Sequence, residues 1–159
     1  MSDNEMGLFQ GSGQKDRSGY KDSKQKRNPK KEPEKILFRD DQNRLRRELL
    51  VEEAEHWAHR MAKRVSYTQL RKFYSEALAL KSKMEEKTFE EVEALVGMLI
   101  SKANYSKIKS RFFRKDGIYE NEELFNFIDS CVRSIHSKQD FNDFVLFFEA
   151  VLGFYPRKN

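Results

Sequence analysis

The sequence predicts an all-α protein, a compact bundle of about five helices preceded by a disordered basic tail. Its 159 residues include only seven glycines and three prolines, and long stretches are rich in Glu, Lys, Leu and Arg, which is typical of helical proteins. From about residue 41 onward, apolar residues recur at spacings of three and four, the period of a helix with one buried face. No stretch of any length shows the alternation of polar and apolar residues that indicates a strand.

The N-terminal segment differs in composition from the rest of the chain. It contains mostly Gly, Ser, Asn, Gln, Lys and Asp, with nine basic residues against six acidic ones in residues 1–35. Such a segment buries too little apolar surface to offset the entropy lost on ordering, so we expect a disordered tail over 1–35 and a helical bundle over 36–159. The tail is either solubilising or a basic arm that attracts nucleic acid, and the interleaved acids favour the first interpretation.

The first two predicted helices lie between Asp41 and about Lys83. The first spans Asp41–Val65, and its apolar face contains Leu50, Ala54, Trp57, Met61 and Val65. The second runs from Gln69 to about Lys83, with Thr68 as its N-cap, because a hydroxyl accepts a hydrogen bond from a free N–H of the first turn. Its apolar face contains Leu70, Phe73, Tyr74, Ala77 and Leu78.

The remaining helices follow the same reasoning. Thr88 and Glu91 have the spacing of a capping box, and the third helix that begins there is expected to end near Tyr105 because Ile108 leaves the apolar phase. A basic connector at 106–117 precedes a fourth helix at about 120–136. The last helix is expected to be capped by Asp140 and to end near residue 155, before a proline. The predicted buried residues are Phe89, Val92, Leu95, Val96, Leu99, Ile100 and Ala103, then Leu124, Phe127, Ile128, Cys131, Val132 and Ile135, then Phe141, Phe144, Val145, Phe147, Phe148, Val151, Leu152 and Tyr155.

The histidines and the cysteine do not form a catalytic or metal-binding pattern. Glu53 and His56 have the spacing found in di-iron bundles, but His56 and His59 lie opposite the face that contains Trp57, and no second Glu-x-x-His motif occurs. Cys131 lies within an apolar stripe, where a thiol is usually inert. Nucleophile-elbow and phosphate-loop motifs are absent from the sequence. We therefore expect no enzyme activity, no catalytic residue, no metal and no cofactor.

The sequence also bears on location. No apolar run approaches the 18 residues of a membrane span, and the N-terminus lacks the apolar region of a secretory signal. A single cysteine suits a reducing compartment. We expect a cytoplasmic protein with no membrane contact.

The excess positive charge lies in two windows that contain no acid. The first window, 56–75, contains Arg60, Lys63, Arg64, Arg71 and Lys72, and the second, 94–115, contains Lys102, Lys107, Lys109, Arg111, Arg114 and Lys115. Because a short loop joins the second and third helices, they should pack side by side, with Arg71 and Lys102 each at the edge of an apolar face. The windows then form one basic track that binds phosphates without sequence preference. A solvated surface or an interface with an acidic protein are the alternatives.

Aromatic residues interleave with these cations and could stack on bases. They are Tyr67, Phe73, Tyr74, Tyr105, Phe112 and Phe113. Because most of them occupy core positions of helices, we expect contacts to the nucleic-acid backbone rather than base readout.

Three segments, in this order, resemble one known family. They read T-Q-L-R-K-F-Y at 68–74, M-L-I-S-K-A-N-Y at 98–105 and F-V-L-F-F-E-A-V-L-G-F-Y at 144–155. Together they are similar to the small subunit of the type III-A CRISPR (Csm) effector complex, and the resemblance covers about 65–155. The tail and the first predicted helix extend beyond it.

The resemblance implies an all-helical, non-catalytic subunit that acts in antiviral defence. Several copies of such a subunit stack and contact the backbone of the guide RNA paired with the target RNA. RNA cleavage then belongs to the guide-binding backbone subunit, whereas DNA cleavage and cyclic oligoadenylate synthesis belong to the large subunit. The implied RNA contacts are Arg71 and Lys102, with Lys72, Lys63 and Arg64 nearby, and the second window adds Lys107, Lys109 and Arg111.

An open stack of identical copies requires a heterologous interface. Phe147 and Phe154, at the edge of the last apolar face, are candidates for that interface, although both also fit the core. A helical adaptor or regulator that binds a protein partner is the alternative function. A DNA-binding helix-turn-helix protein is less favoured, because no short glycine-containing turn joins suitable helices.

Overall fold

The structure, a computed structural model, describes residues 32–111 and 121–157. These ranges contain the α-helices α1 Ala54–Ala62, α2 Tyr67–Glu86, α3 Phe89–Arg111, α4 Glu122–Arg133 and α5 Lys138–Phe154, with a π-helical segment Leu49–Glu53 before α1. Within them no β-strand occurs, and one isolated β-bridge is present, upstream of the helices. The predicted all-α class and the number of helices are confirmed. In the described parts of the chain, no helix combines the length and the apolar character that a membrane crossing requires.

The core is centred on α5, which packs against α1, α2 and the π-helical segment, while α3 packs against α2 and α4. Phe127 of α4 lies inside this arrangement, with ring centroids 5.4 Å from Trp57, 5.5 Å from Phe147 and 5.2 Å from Phe148. Phe147 is fully buried and therefore belongs to the core rather than to an interface between copies. Phe154 keeps 37% of its surface exposed.

The N-cap residues of α2 and α5 differ from the predicted ones. The hydroxyl of Ser66, not of Thr68, caps α2 by accepting a hydrogen bond from the Gln69 N–H at 3.1 Å. Ser137 caps α5 by accepting from the N–H of Asp140 at 3.1 Å, so that Asp140 lies inside the first turn. An N-cap must have a non-helical backbone, and both serines are extended. Propensity alone does not decide between neighbouring capping residues.

The start of α3 is as predicted, but its end is not. The Thr88 N–H donates to the Glu91 carboxylate at 2.8 Å and the Glu91 N–H donates to the Thr88 hydroxyl at 3.4 Å, which confirms the capping box. The helix continues to Arg111 instead of ending near Tyr105. Ile108 is 44% exposed, so its departure from the apolar phase marks the end of the buried face rather than of the helix. Of the predicted connector, residues 106–111 belong to α3 and residues 112–117 lie outside the described chain.

The first helix is shorter than predicted and changes register. Regular helical structure begins at Arg47 rather than at Asp41, because the Asp40 carboxylate accepts hydrogen bonds at 2.9 Å from the N–H groups of Gln42 and Arg44 and holds a turn there. The π-helical segment then inserts an extra residue into the turn. As a result the fully buried leucine is Leu49, and the predicted Leu50 is only partly buried.

An extended strap, residues 32–39, precedes these elements and lies against the bundle. Ile36 and Phe38 are buried, and the Ile36 N–H donates to the Ser134 hydroxyl at 3.1 Å. The Arg39 guanidinium donates two hydrogen bonds, of 2.6 and 3.0 Å, to the buried carboxylate of Asp143 on α5. The strap therefore contributes to the core.

Most of the predicted apolar faces are buried, and two positions are clear exceptions. Leu78 on α2 and Leu95 on α3 expose 40% and 42% of their surfaces. Each lies at the margin of its apolar face, where the neighbouring helices do not cover it.

The fourth helix ends at Arg133, three residues earlier than predicted, and Ser134 follows as its C-cap.

Candidate nucleic-acid interface

An open groove with a volume of about 590 Å³ runs between α2 and α3. Lys72 and Glu76 line it from α2, and Lys102, Tyr105 and Lys109 line it from α3. The other lining residues are Gln69, Phe73, Ser101, Ser106, Ser110 and Asn121. Three lysines and one glutamate leave this surface, the α2–α3 groove, with two net positive charges.

Helical spacing brings these side chains together. Lys102, Tyr105 and Lys109 follow one another at intervals of three and four residues, which places them along one face of α3. Lys72 and Glu76 are four residues apart on α2 and share a face for the same reason. The expectation that α2 and α3 lie side by side is confirmed, because the two helices are in contact and residues of both line the groove.

Glu76 forms an ion pair inside the groove that the sequence did not reveal. Its carboxylate accepts a hydrogen bond of 2.7 Å from the Lys102 ammonium, and the two side chains are 27% and 49% exposed. Glu76 is the first residue after an acid-free window, so charge counting placed it outside the basic track. The ion pair orients Lys102 along the groove and neutralises part of its charge.

A polar contact network lies in the wall of the groove. The Ser106 hydroxyl accepts hydrogen bonds from the side-chain amides of Gln69, at 2.9 Å, and Asn121, at 2.7 Å. These bonds connect α2, α3 and the residue before α4, so the groove wall is held by three parts of the fold. The sequence offers no signal for this network, because its members are far apart in the chain.

Arg71 does not line the groove that contains Lys102. The Arg71 guanidinium lies 5.9 Å from the ring centroid of Tyr67, and Arg157 approaches the same ring at 5.9 Å. Consecutive helical residues point about 100° apart around the helix axis, so Lys72 lines the groove whereas Arg71 points away from it, toward Tyr67. Sequence analysis did not identify Arg157 as a second cation beside this ring. A role for Arg71 in RNA binding stays a prediction.

Of the other predicted cations whose side chains the structure describes, Lys109 lines the groove, and Lys63, Arg64 and Lys107 do not. Lys63 and Arg64 are exposed in the turn between α1 and α2. Lys107 is partly buried, with its ammonium 3.8 Å from the Glu122 carboxylate of α4. Arg111 is the last residue of α3, and its side chain lies outside the described structure.

No catalytic arrangement is formed by the residues that sequence analysis considered. His56 and His59 are exposed, as predicted. Within residues 32–111 and 121–157, no cluster of three or more potential metal ligands occurs. Burial, with a smaller contribution from the charge of Glu53, raises the pKa of the Cys131 thiol well above its ordinary value, which disfavours the nucleophilic thiolate.

Comparison with known proteins identifies a family. A protein-family model described as Csm2 Type III-A matches residues 44–158, well over half of the chain. No curated protein and no solved structure matches the sequence or the fold.

Proposed function

The chain belongs to the Csm2 Type III-A family, and from this membership and the α2–α3 groove we propose how it acts. It is a small subunit of the type III-A CRISPR effector complex. The proposal is that it holds the guide RNA paired with its target RNA by contacts to the sugar-phosphate backbone, without sequence specificity. The observation that carries this proposal is the convergence of Lys72, Lys102 and Lys109 on one open groove.

The chemistry of the groove suits phosphate binding. Lysine ammonium groups attract phosphates and displace their counterions, an interaction that does not depend on base sequence. A subunit of an RNA-guided complex must accept every guide, so such contacts fit its task better than contacts to base edges.

The remainder of the proposal concerns the assembly. We propose that the subunit is non-catalytic, that several copies stack in the complex, and that its other partners are the guide-binding backbone subunit and the large subunit. Antiviral defence in the cytoplasm is the corresponding setting. RNA and DNA cleavage then belong to the partner subunits.

The test replaces Lys72, Lys102 and Lys109 together by alanine. Labelled guide-paired target RNA of two unrelated sequences is titrated with each protein at several salt concentrations. The slope of log affinity against log salt should fall by about 2 to 3 units, at 0.7–0.9 for each lost phosphate contact, equally for both sequences. Lys83→Ala, an exposed lysine on α2 outside the groove, is the matched control and should leave the slope unchanged.

A second set of variants separates the groove from the other predicted cations. Lys63, Arg64 and Arg71 are replaced together by alanine and measured in the same assay. If this set lowers the slope while the groove variant does not, the RNA lies at the N-terminal end of α2 and the groove proposal is wrong. Affinity losses that depend on the RNA sequence would contradict backbone recognition.

A further inference from the structure

Tyr105 stands out among the residues that line the α2–α3 groove. It exposes 68% of its surface, more than any other large hydrophobic residue in the described structure. Within residues 32–111 and 121–157 its ring has no aromatic contact and its hydroxyl no hydrogen bond. Tyr105 therefore presents an exposed aromatic surface inside a basic groove.

The position of Tyr105 between two cations indicates its ligand. Lys102 lies one turn before it and Lys109 one turn after it on the same face of α3. The two lysines are about 10 Å apart along the helix axis, with the ring between them. A nucleotide chain presents a flat base flanked by phosphates, and aromatic side chains inside a positive groove are the usual platform for such bases.

We propose that Tyr105 stacks on an unpaired nucleobase while Lys102 and Lys109 contact the flanking phosphates. This inference rests on the proposed RNA contact and adds that the groove prefers single-stranded RNA, or a base displaced from a duplex, over continuous paired RNA. In a paired helix both faces of a base are already stacked, so a tyrosine reaches only a base that is splayed out. Every base has such a face, so the contact keeps the groove indifferent to sequence.

Neighbouring exposed residues on α3 provide a matched control. Met98 is 50% exposed on the same helix but does not line the groove. If the exposed side of α3 served only as a docking surface for a protein, Met98 and Tyr105 would both contribute to it. If the groove binds bases, only Tyr105 matters for RNA.

The experiment uses the full chain and two RNA probes of one sequence. The first is a single strand with the fluorescent adenine analogue 2-aminopurine at its centre, and the second is the same strand in a blunt duplex. The wild type should quench the fluorescence of the single strand by stacking. Tyr105→Ala should abolish the quenching and weaken single-strand binding roughly 5- to 150-fold, with little change for the duplex. Tyr105→Phe should behave as the wild type, and Met98→Ala should leave RNA binding unchanged.

Several results would overturn the inference. Equal losses for single strand and duplex, unchanged single-strand binding by Tyr105→Ala, or a loss with Tyr105→Phe would each exclude stacking. A variant that binds RNA normally but joins the effector complex poorly would assign Tyr105 to a protein contact instead. The lysine variants separate the two proposals. If they weaken binding while Tyr105→Ala does not, only the stacking fails; if the wild type binds neither RNA, the proposed function fails with it.

Discussion

Glu76 is predicted to limit the affinity of the groove for RNA. Its carboxylate holds the Lys102 ammonium at 2.7 Å, so a phosphate that approaches Lys102 competes with an acid already in place. Glu76→Gln removes this charge and keeps the shape of the side chain. The groove then has three net positive charges instead of two, and Lys102 is available to the phosphate.

The expected gain in RNA affinity follows from the exposure of the Glu76–Lys102 ion pair. The two side chains are 27% and 49% exposed, and ion pairs at such sites contribute about 0.2–1 kcal/mol after screening. Repulsion between the carboxylate and a phosphate about 4 Å away adds about 1 kcal/mol in a water-like dielectric. The sum of about 1–2 kcal/mol corresponds to roughly 5- to 30-fold tighter RNA binding at low salt.

The assay is the salt titration of labelled RNA with the wild type, Glu76→Gln, Lys102→Ala and the double variant. The gain from Glu76→Gln should shrink when Lys102 is absent, because part of it acts through that ammonium, and a double-mutant cycle measures the difference. Thermal unfolding checks the fold. Loss of a half-exposed ion pair should lower the melting temperature by less than about 4 °C in a chain of this size.

Two results would refute this reasoning. If Glu76→Gln binds RNA more weakly than the wild type, the carboxylate serves mainly to orient Lys102 rather than to compete for it. If the affinity gain is the same with and without Lys102, the ion pair is not the point at which RNA and Glu76 compete.

Three further predictions concern the bundle. Phe127→Ala should lower the free energy of unfolding by about 3–5 kcal/mol, because the ring is fully buried among three aromatic side chains, and Phe127→Leu should cost less; urea unfolding measures both. Arg39→Ala should lower the melting temperature more than Arg44→Ala. Loss of Arg39 leaves the buried Asp143 carboxylate without its ion-pair partner, whereas the Arg44 side chain is 70% exposed. Equal shifts in melting temperature would contradict this prediction. The Cys131 thiol should resist a disulfide reagent at pH 8 in the native protein, because burial raises its pKa and keeps it protonated. The thiol should react after denaturation in guanidinium. Rapid reaction of the native protein would disprove the burial of Cys131.

Several parts of the fold were predictable because their signals are local. Apolar periodicity located all five helices, and the spacing of Thr88 and Glu91 located the start of α3. The strap was not predicted, although Ile36 is buried, because an extended segment has no helical period and its hydrogen-bond partners, Ser134 and Asp143, lie far along the chain. The π-helical segment was missed because a single inserted residue changes the phase without changing composition.

The candidate site divides in the same way. The sequence by itself determined that Lys102 lies at the edge of the apolar face of the third helix, but it placed Lys109 in a connector after that helix. The continuation of α3 to Arg111 is what puts the two lysines, seven residues apart, on one face. Only the tertiary structure decided that Lys72 rather than Arg71 joins them, that Glu76 pairs with Lys102, and that Tyr105 stays in solvent. Periodicity gives the direction of a side chain around its own helix axis. Which side of the helix is buried depends on how neighbouring helices pack against it. Those packing contacts join residues that are distant in the sequence.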